Sequence, residues 1–362
     1  QHIGRIIIHP DNPDIVWVAA MGNLYTHNPE RGVFKTTDGG KSWSKTLYVN
    51  DSTGAIDLII NPDDPDMLWA SMWERTRKAW NFKGHGPGSA IYKSTDGGDN
   101  WVEVMDGIAD REFAGRIGLD ISQSSPNILY ALIDSQFETK TEKEREEGEL
   151  LAADFVEMTK EQFLELEDEK LDDFLKNNFF PEKYDAKKVK AEVEQGKYDP
   201  KALADYLGDA NTALFDTEVK GAEIYRSDDY GSTWKKTHDY NLKGVYFTYG
   251  YYFGEVRVSP ADPERIYIFG VPLLRSDDGG INFSRADTIG DVHADHQAMW
   301  IDPKDPDHIL LGNDGGLYMS YDGGVAWNHI NNIPAGQFYT VNYDMEKPYN
   351  IYGGLQDLSL IH

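Results

Sequence analysis

The stretch Thr36-Thr-Asp-Gly-Gly-Lys-Ser-Trp43 recurs in variant form four more times along the chain. The other copies are Ser94-Thr-Asp-Gly-Gly-Asp-Asn-Trp101, Ser227-Asp-Asp-Tyr-Gly-Ser-Thr-Trp234, Ser276-Asp-Asp-Gly-Gly-Ile-Asn-Phe283 and Ser320-Tyr-Asp-Gly-Gly-Val-Ala-Trp327. The shared frame, Ser/Thr-x-Asp-x-Gly-x-x-Trp/Phe, is too restrictive to recur five times by chance. Regular repetition of a motif is typical of proteins that are built from stacked structural units.

Each copy of this octamer has the composition of a tight hairpin. A carboxylate can accept hydrogen bonds from turn amides, and glycine permits the positive φ that such turns require. The closing aromatic side chain can then bury itself between adjacent sheets. We therefore predict a structural role, rather than a catalytic one, for the five octamer aspartates, which are Asp38, Asp96, Asp229, Asp278 and Asp322.

A proline-rich turn precedes each octamer, and the residues around it alternate between apolar and polar. The turns are His9-Pro-Asp-Asn-Pro-Asp14, Asn61-Pro-Asp-Asp-Pro-Asp66, Ser259-Pro-Ala-Asp-Pro-Glu264, Asp302-Pro-Lys-Asp-Pro-Asp307 and the degenerate Ser122-Gln-Ser-Ser-Pro-Asn127. A period of two indicates β-strands. Each unit therefore reads as four antiparallel strands, which is one blade of a β-propeller.

One spacing between octamers is much longer than the others. The octamer aspartates are 58, 133, 49 and 44 residues apart, so the third unit contains an insertion. Residues 135–221 are rich in Glu, Lys and Leu, and Thr159-x-x-Gln162 has the form of a helix capping box. We predict an acidic helical insertion, either a solvated cap or a lid or partner-docking surface.

The predicted fold is all-β, with five complete four-stranded blades, the start of a sixth and the helical insertion. Residues 1–134 form blades 1 and 2 and the first half of blade 3. Residues 222–357 form the rest of blade 3, blades 4 and 5 and the start of blade 6, and residues 358–362 form a tail. Because most propellers of this kind close with six or more blades, we expect a fragment of a larger propeller.

Composition excludes several classes of function. The net charge of −27 over 362 residues argues against nucleic-acid and anionic-lipid partners. The absence of cysteine excludes disulfides, thiolate metal sites and a cysteine nucleophile. The apolar run Ile15 to Met21 is far shorter than the roughly 18 residues that a membrane-spanning helix needs. We therefore expect no membrane insertion, and the sequence leaves the oligomeric state open.

Longer stretches resemble one family in particular. The octamers are similar to the Asp-box (BNR) repeats of sialidases, xyloglucan-active glucanases and sortilin-type propellers. The resemblance to large bacterial BNR-repeat glycosyl hydrolase-like proteins with a sortilin-type propeller rests on Val18-Ala-Ala-Met-Gly22, Glu30-Arg-Gly-Val-Phe-Lys-Thr-Thr-Asp-Gly-Gly40, Gly86-Pro-Gly-Ser89, Trp300-Ile-Asp-Pro303, Gly312-Asn-Asp-Gly-Gly316 and Gly353-Gly-Leu-Gln-Asp357. It implies an extracytoplasmic protein, periplasmic, secreted or on the cell surface.

The resemblance leaves two functions open. One is a glycoside hydrolase-like propeller that acts on or binds polysaccharide, and the other is a non-catalytic sortilin-type propeller that binds a peptide or protein. The chain has no Arg-Ile-Pro signature, so sialidase activity is not implied. Whether the protein is an enzyme stays open at this point, because the family includes hydrolases and pure binding proteins.

Candidate site residues lie where the first strand of each unit begins, because ligands of propellers usually bind over the central channel. Glycoside hydrolysis needs two carboxyl groups, and the candidates on separate blades are Asp57, Glu255 and Asp295. Substrate-binding candidates at the same positions are Arg5, Arg116, Arg257 and His293.

Aromatic and arginine residues add further candidates for substrate binding. They are Trp73, Arg75 and Trp80 in one long loop, and Tyr251 before the fourth unit. The group His293, Asp295 and His296 could hold a divalent ion, take part in acid–base chemistry or form a hydrogen-bond network. In a strand His296 faces away from the other two, and we predict no metal and no cofactor.

Overall fold

The computed structural model describes residues 2–78, 81–138, 150, 152–155, 158–177, 180, 183–207, 219–242, 244–246, 250–290, 292–333 and 338–355. The chain divides into two compact units, Gln1–Phe137 with Val219–His362, and Glu138–Glu218. The first unit is a β-propeller, which contains five four-stranded antiparallel sheets. The prediction of an all-β propeller with a helical insertion is confirmed.

The first two blades occupy residues up to 103. Blade 1 contains β1 (His2–Ile8), β2 (Val16–Gly22), β3 (Gly32–Thr36) and β4 (Ser44–Leu47). Blade 2 contains β5 (Thr53–Ile60), β6 (Leu68–Glu74), β9 (Ala90–Ser94) and β10 (Val102–Glu103). A separate two-stranded sheet, β7 (Thr76–Lys78) with β8 (Asn81–Lys83), projects between β6 and β9.

The remaining blades follow the same order, and a final hairpin comes after them. Blade 3 contains β11 (Ala114–Ile121), β12 (Leu129–Glu138), β13 (Val219–Ser227) and β14 (Lys235–Lys236). Blade 4 contains β15 (Val256–Val258), β16 (Ile266–Phe269), β17 (Leu273–Ser276) and β18 (Ser284–Arg285). Blade 5 contains β19 (His296–Ile301), β20 (Ile309–Asn313), β21 (Gly316–Ser320) and β22 (Asn328–Ile330). β23 (Phe338–Tyr343) and β24 (Ile351–Leu355) form the hairpin where a sixth blade was predicted.

The first strands of neighbouring blades lie close together. A Cβ atom at Gly4 on β1 would lie 2.1 Å from the backbone oxygen of Ile56 on β5. A Cβ at Gly118 on β11 would lie 1.9 Å from the backbone oxygen of Gly254, which precedes β15. Only glycine allows such an approach of one backbone to another. The first strand of each blade is therefore the innermost one, as the sequence predicts.

Aromatic side chains on the second strands join one blade to the next. Trp17 donates from its indole nitrogen to the backbone oxygen of Gly97 at 2.9 Å, in the octamer of the following blade. Trp69 and Tyr267 make the corresponding bonds, to the backbone oxygens of Tyr230 and Gly323. All three aromatic residues are at most 1% exposed, so each contact combines apolar burial with a hydrogen bond.

The octamers form the predicted kind of turn. Asp38 Oδ1 accepts from the backbone nitrogen of Ser42 at 2.9 Å and from the hydroxyl of Thr36 at 2.8 Å. The Ser42 hydroxyl donates to Oδ2 at 2.6 Å, and these bonds lower the pKa of Asp38 to about 2. The carboxylates of Asp96, Asp229, Asp278 and Asp322 also accept from the amide four residues later.

The closing aromatic of the octamer is not buried in every blade. Trp234 and Trp327 are 4% and 5% exposed and donate to backbone oxygens of Val104 and Ala286. Trp43 is 45% exposed, and its indole bonds within its own turn, to Gly40. The expectation of burial between sheets therefore does not hold for Trp43.

The second unit is helical. It contains α1 (Lys160–Glu165), α2 (Asp168–Asn177), α3 (Ala186–Glu194) and α4 (Lys201–Leu207). Thr159 and Gln162 form the predicted capping box, with both reciprocal hydrogen bonds present. Apolar side chains such as Phe163, Phe174 and Val189 form its own core. Strands β12 and β13 include the first and last residues of the predicted insertion 135–221.

Candidate ligand-binding site

The inner strands carry a chain of ion pairs, which we call the inner-strand network (Arg5, Asp57, Arg116, Glu255 and Arg257). Arg5 donates from Nε to Asp57 Oδ1 at 2.7 Å and from Nη2 to Glu255 Oε2 at 3.2 Å. Arg5 comes from blade 1, Asp57 from blade 2 and Glu255 from the residue before blade 4. The charge of Asp57, and to a smaller extent that of Glu255, raises the pKa of Arg5. One guanidinium therefore lies between two of the three predicted catalytic carboxylates.

Asp57 is also bound by backbone amides. Its Oδ1 accepts from the amide of Leu58 at 2.9 Å, and its Oδ2 accepts from the amide of Leu119 at 3.0 Å on the next inner strand. The residue is 3% exposed. Both oxygens of this carboxylate therefore have donors, and it connects blades 2 and 3.

Asp120 repeats this arrangement one blade further on. Its Oδ2 accepts from the amide of Val258 on β15 at 2.7 Å, and its Oδ1 accepts from the amide of Ile121 at 3.0 Å. Burial raises the pKa of Asp120 to about 6, although the charge of Arg257 opposes that shift. Asp57 and Asp120 thus each link an inner strand to the inner strand of the following blade.

Glu255 accepts from three arginines. Besides Arg5, Arg257 donates from Nη2 to Oε2 at 2.8 Å, and Arg116 donates from Nη2 to Oε1 at 3.2 Å. The second terminal nitrogen of Arg116 donates to the backbone oxygen of Tyr252 at 3.1 Å. The network therefore holds three cations against two carboxylates, and Arg116 extends it toward the aromatic residues that precede β15.

A buried carboxyl group, Asp134, lies beside this network and has no ion pair with any residue that the structure describes. The residue is 1% exposed, its Oδ1 accepts from Gln136 at 2.7 Å, and its Oδ2 has no partner among the described residues. Burial raises the pKa of Asp134 to about 7, although the bond from Gln136 and the charge of Arg116 oppose this. A Cβ at Gly250 would lie 2.0 Å from its Cγ, so this backbone encloses the carboxyl group.

A second group of side chains alternates arginine with aromatic rings, and we call it the arginine–aromatic strip (Trp73, Arg75, Arg77, Phe82 and Tyr251). The guanidinium of Arg75 lies over the Trp73 ring at 4.9 Å, and that of Arg77 lies over the Phe82 ring at 5.5 Å. The Phe82 and Tyr251 rings are 4.6 Å apart. Cation–π contacts of this kind leave the guanidinium edges available for other partners.

The strip continues to the inner-strand network through Tyr252. The Tyr251 and Tyr252 rings are 6.2 Å apart in an edge-to-face arrangement, and Tyr252 is 57% exposed. Its backbone oxygen receives the hydrogen bond from Arg116. Phe82 and Tyr251 are half-buried, so three neighbouring aromatic residues are at least partly exposed.

Trp73 is a substrate-binding candidate in the sequence analysis, but its ring is not exposed for stacking on a ligand. It is 2% exposed and donates from its indole nitrogen to the backbone oxygen of Gly84 at 2.6 Å. Its contribution to the strip is to support Arg75. Trp80, also predicted to bind substrate, lies outside the described residues, as does the predicted tail 358–362.

The group around His293 is held by different contacts. The His293 amide donates to the Tyr318 hydroxyl at 3.2 Å, and the Asp295 amide donates to the backbone oxygen of Val271 at 3.1 Å. His296 is fully buried and pairs through Nε2 with Asp287 Oδ2 at 3.4 Å. Among the described residues, no ion pair joins Asp295 to the inner-strand network.

His296 and Asp287 thus form a buried hydrogen-bonded pair. The described part of the chain contains no set of three or more His, Cys, Asp or Glu side chains arranged to hold a metal ion. It also contains no helix long and apolar enough to cross a membrane.

Sequence reasoning missed three residues of this region: Phe82, Asp120 and Asp134. Asp120 had a usable signal, because it lies one position before the end of its inner strand, ahead of a proline-containing turn. Phe82 and Asp134 had none, since their importance depends on rings and carboxyl groups that are far apart along the chain.

No protein-family model matches the chain, and no curated protein matches it. Among solved structures, it is similar to an ancestral GH74 enzyme, with 13% identity, a TM-score of 0.49 and coverage of 97% of this chain and 34% of that one. It is similar to the GH74 xyloglucanase from Xanthomonas campestris, with 11% identity, a TM-score of 0.41 and coverage of 92% and 44%. The chain thus spans less than half the length of either enzyme.

YCF48 bound to D1 peptide is also similar, with 10% identity, a TM-score of 0.33 and coverage of 98% of this chain and 89% of that one. With TM-scores below 0.5, none of these similarities carries an argument about the function of this protein.

Proposed function

We propose that this protein binds polysaccharide at the arginine–aromatic strip, and that it acts outside the cytoplasm, where it is periplasmic, secreted or on the cell surface. The observation that carries the proposal is the set of three neighbouring, solvent-accessible rings of Phe82, Tyr251 and Tyr252. Flat rings of this kind stack on the apolar faces of sugars. Arg77, at one end of this set, supplies donors for sugar hydroxyl groups.

The environment of Asp57 and Glu255, two of the three predicted catalytic carboxylates, supports binding rather than hydrolysis. A general acid needs a proton to donate, and a nucleophile needs an unencumbered oxygen. Asp57 has donors on both oxygens, and Glu255 accepts from three arginines. The space between these two carboxylates contains the guanidinium of Arg5 rather than room for a glycosidic bond.

Binding and hydrolysis can be separated in one screen. Neutral and acidic polysaccharides are tested for retardation in affinity electrophoresis and for the release of reducing ends. We expect retardation without reducing ends, and Y251A to weaken it about tenfold or more, as loss of a stacking ring does. The control Y321A removes an exposed tyrosine from blade 5 and leaves binding unchanged.

The competing hypothesis is that Asp57, Glu255 and Asp295 are catalytic. Release of reducing ends that is abolished in D57N, E255Q or D295N would overturn the binding-only proposal. Because D57N also removes an interior ion pair, its folding is checked by circular dichroism before its activity is interpreted.

A second candidate function is the binding of an extended peptide, as the resemblance to sortilin-type propellers implies. One structural observation favours it: within the described residues, β7 and β8 form a two-stranded sheet of their own, and neither outer edge pairs with another strand. A peptide strand can add to an edge of this kind. Retention of peptides from a random library, together with no retention of any polysaccharide, would favour this candidate over the first.

A further inference from the structure

The binding of a neutral sugar does not explain the surroundings of one charged group, the guanidinium of Arg75. Its Nε and Nη2 lie within the protein and have no hydrogen-bond partner among the described residues. These two nitrogens form the edge with which arginine binds a carboxylate in a bidentate manner. A buried charge without a counter-charge is costly, so an empty edge of this kind calls for an anion.

The neighbours of Arg75 increase rather than offset its charge. Arg31 is 1% exposed, and its Nη1 approaches the backbone oxygen of Arg75 at 3.3 Å. Arg77 lies two residues further along the same hairpin. Burial, and then the charges of Arg31, Arg77 and Arg116, lower the pKa of Arg75 to about 10. The group is therefore still a cation at neutral pH, and the whole cluster favours an anionic ligand.

The four arginines differ in how their donors are used. Arg31 donates to four backbone oxygens, those of Ser52, Arg75, Asn23 and Thr26, and therefore has a structural role. Arg116 is paired with Glu255. Arg75 and Arg77 contact aromatic rings instead, and neither has an ion pair within the described part of the chain. Among the described residues, Arg75 is thus a cation with two unpartnered donors, at the end of the strip beyond Arg77 and Phe82.

The net charge of −27 limits the kind of anion that can bind here. At physiological ionic strength the Debye length is about 8 Å. The repulsion of a bound anion by distant acidic groups is therefore largely screened, whereas its attraction to the adjacent arginines is screened much less. A carboxylate that is carried on a sugar ring fits both the arginines and the aromatic rings of the strip. A flexible chain of carboxylates fits only the arginines.

We propose that Arg75 binds the carboxylate of a uronic acid in an acidic polysaccharide, while the rings of Phe82 and Tyr251 stack on the neighbouring sugars. This inference rests on the proposed function and adds the class of substrate. Because Nε and Nη2 are shielded from solvent, their pairing with a carboxylate requires a local rearrangement of the residues around Arg75.

The test compares ligands that differ only in charge. Oligosaccharides of galacturonate, glucuronate and alginate are titrated calorimetrically, each against its methyl ester, which keeps the ring and removes the negative charge. We expect at least one acid form to bind about tenfold or more tightly than its ester, as loss of a charged hydrogen-bonding pair implies. Its affinity is expected to fall as salt is raised.

Variants assign the effect to Arg75. R75M removes the charge and donors while keeping a similar length, and we expect it to bind the acid form and the ester equally. R75K keeps the charge without the planar fork and is expected to recover part of the preference. R265M, which removes an arginine that pairs with Asp277 and Asp307 on blades 4 and 5, is the matched control and keeps the full preference.

Several results would overturn the inference. Equal binding of acid and ester by the unmodified protein would do so while leaving polysaccharide binding intact. An acid preference that persists in R75M would assign the carboxylate to another residue. Binding of a glutamate tetrapeptide, but of no uronate, would show that the anion belongs to a peptide. Binding of no saccharide of any kind would instead reject the proposed function itself.

Discussion

The inner-strand network and the arginine–aromatic strip both contain arginines, but they use them differently. In the network, Arg5 donates to Asp57 and Glu255. Arg116 and Arg257 both donate to Glu255. In the strip, Arg75 and Arg77 lie against rings, and their charges face other cations. The paired charges connect different blades, whereas Arg75 and Arg77 have no ion pair within the described part of the chain. Three changes test this comparison.

The largest expected effect concerns Asp134, the buried carboxyl group between the two regions. Its folded-state pKa of about 7 lies above its unfolded value, so the folded protein binds a proton that the unfolded chain releases. Stability from this group is therefore present below pH 4 and is lost as pH rises to about 7. The loss is about 4 kcal/mol, at about 1.4 kcal/mol for each pKa unit.

D134N cannot ionise and keeps the shape of the side chain. We expect its unfolding free energy, measured with urea at pH 5 and pH 8, to change less with pH than that of the unmodified protein. Parallel pH profiles of the two proteins would show that Asp134 does not titrate in this range. Asp120, whose pKa is also raised, contributes a decline of the same sign in both proteins.

The second change removes a paired charge from the network. D57N leaves Arg5 without its nearest partner and weakens the bond to the Leu119 amide, so we expect a loss of about 3 kcal/mol in urea denaturation. D63N, in the exposed turn after the same strand, is the matched control and is expected to be near neutral.

R75M is the corresponding substitution in the arginine–aromatic strip. It removes a cation that is repelled by Arg31, Arg77 and Arg116, so we expect the unfolding free energy to be unchanged or slightly higher. If D57N were neutral and R75M were strongly destabilising, the distinction between paired and unpaired arginines would be reversed.

The smallest effect compares two tryptophans. W17F keeps an aromatic ring but removes the indole donor to the Gly97 backbone oxygen, which costs about 1 kcal/mol. W43F changes a side chain that is 45% exposed and bonds only within its turn, so we expect almost no change. Thermal unfolding should separate the two variants, and equal midpoints would contradict a role of Trp17 between blades.

Much of the fold could be predicted because its signals are local. The Asp38 turn closes within seven residues, from Thr36 to Ser42, and the proline-rich turn at Asn61 closes with a hydrogen bond from the Asn61 amide to Met67. The capping box at Thr159 spans four residues. Hydrogen bonds over such short spans leave a recognisable residue pattern, and the pattern repeats with each blade.

The candidate site was predicted less completely, because its parts are distant in sequence. Arg5 and Glu255 were both identified from their positions at the starts of inner strands, but their contact spans 250 residues. Sequence could not show that they would neutralise each other. Trp73 was identified as a binding aromatic from composition alone, and only packing determines that it is buried beneath Arg75.

The sequence by itself determined the repeated blade, the position of the helical insertion and the acidic character of the chain. Each of these depends on residues that are neighbours in the chain or on a simple count. The tertiary structure decided which charges are paired, which rings are exposed and which carboxyl group is buried without a cation. Those properties depend on distances between blades, because solvation and Coulomb energies are set by what surrounds a group in space.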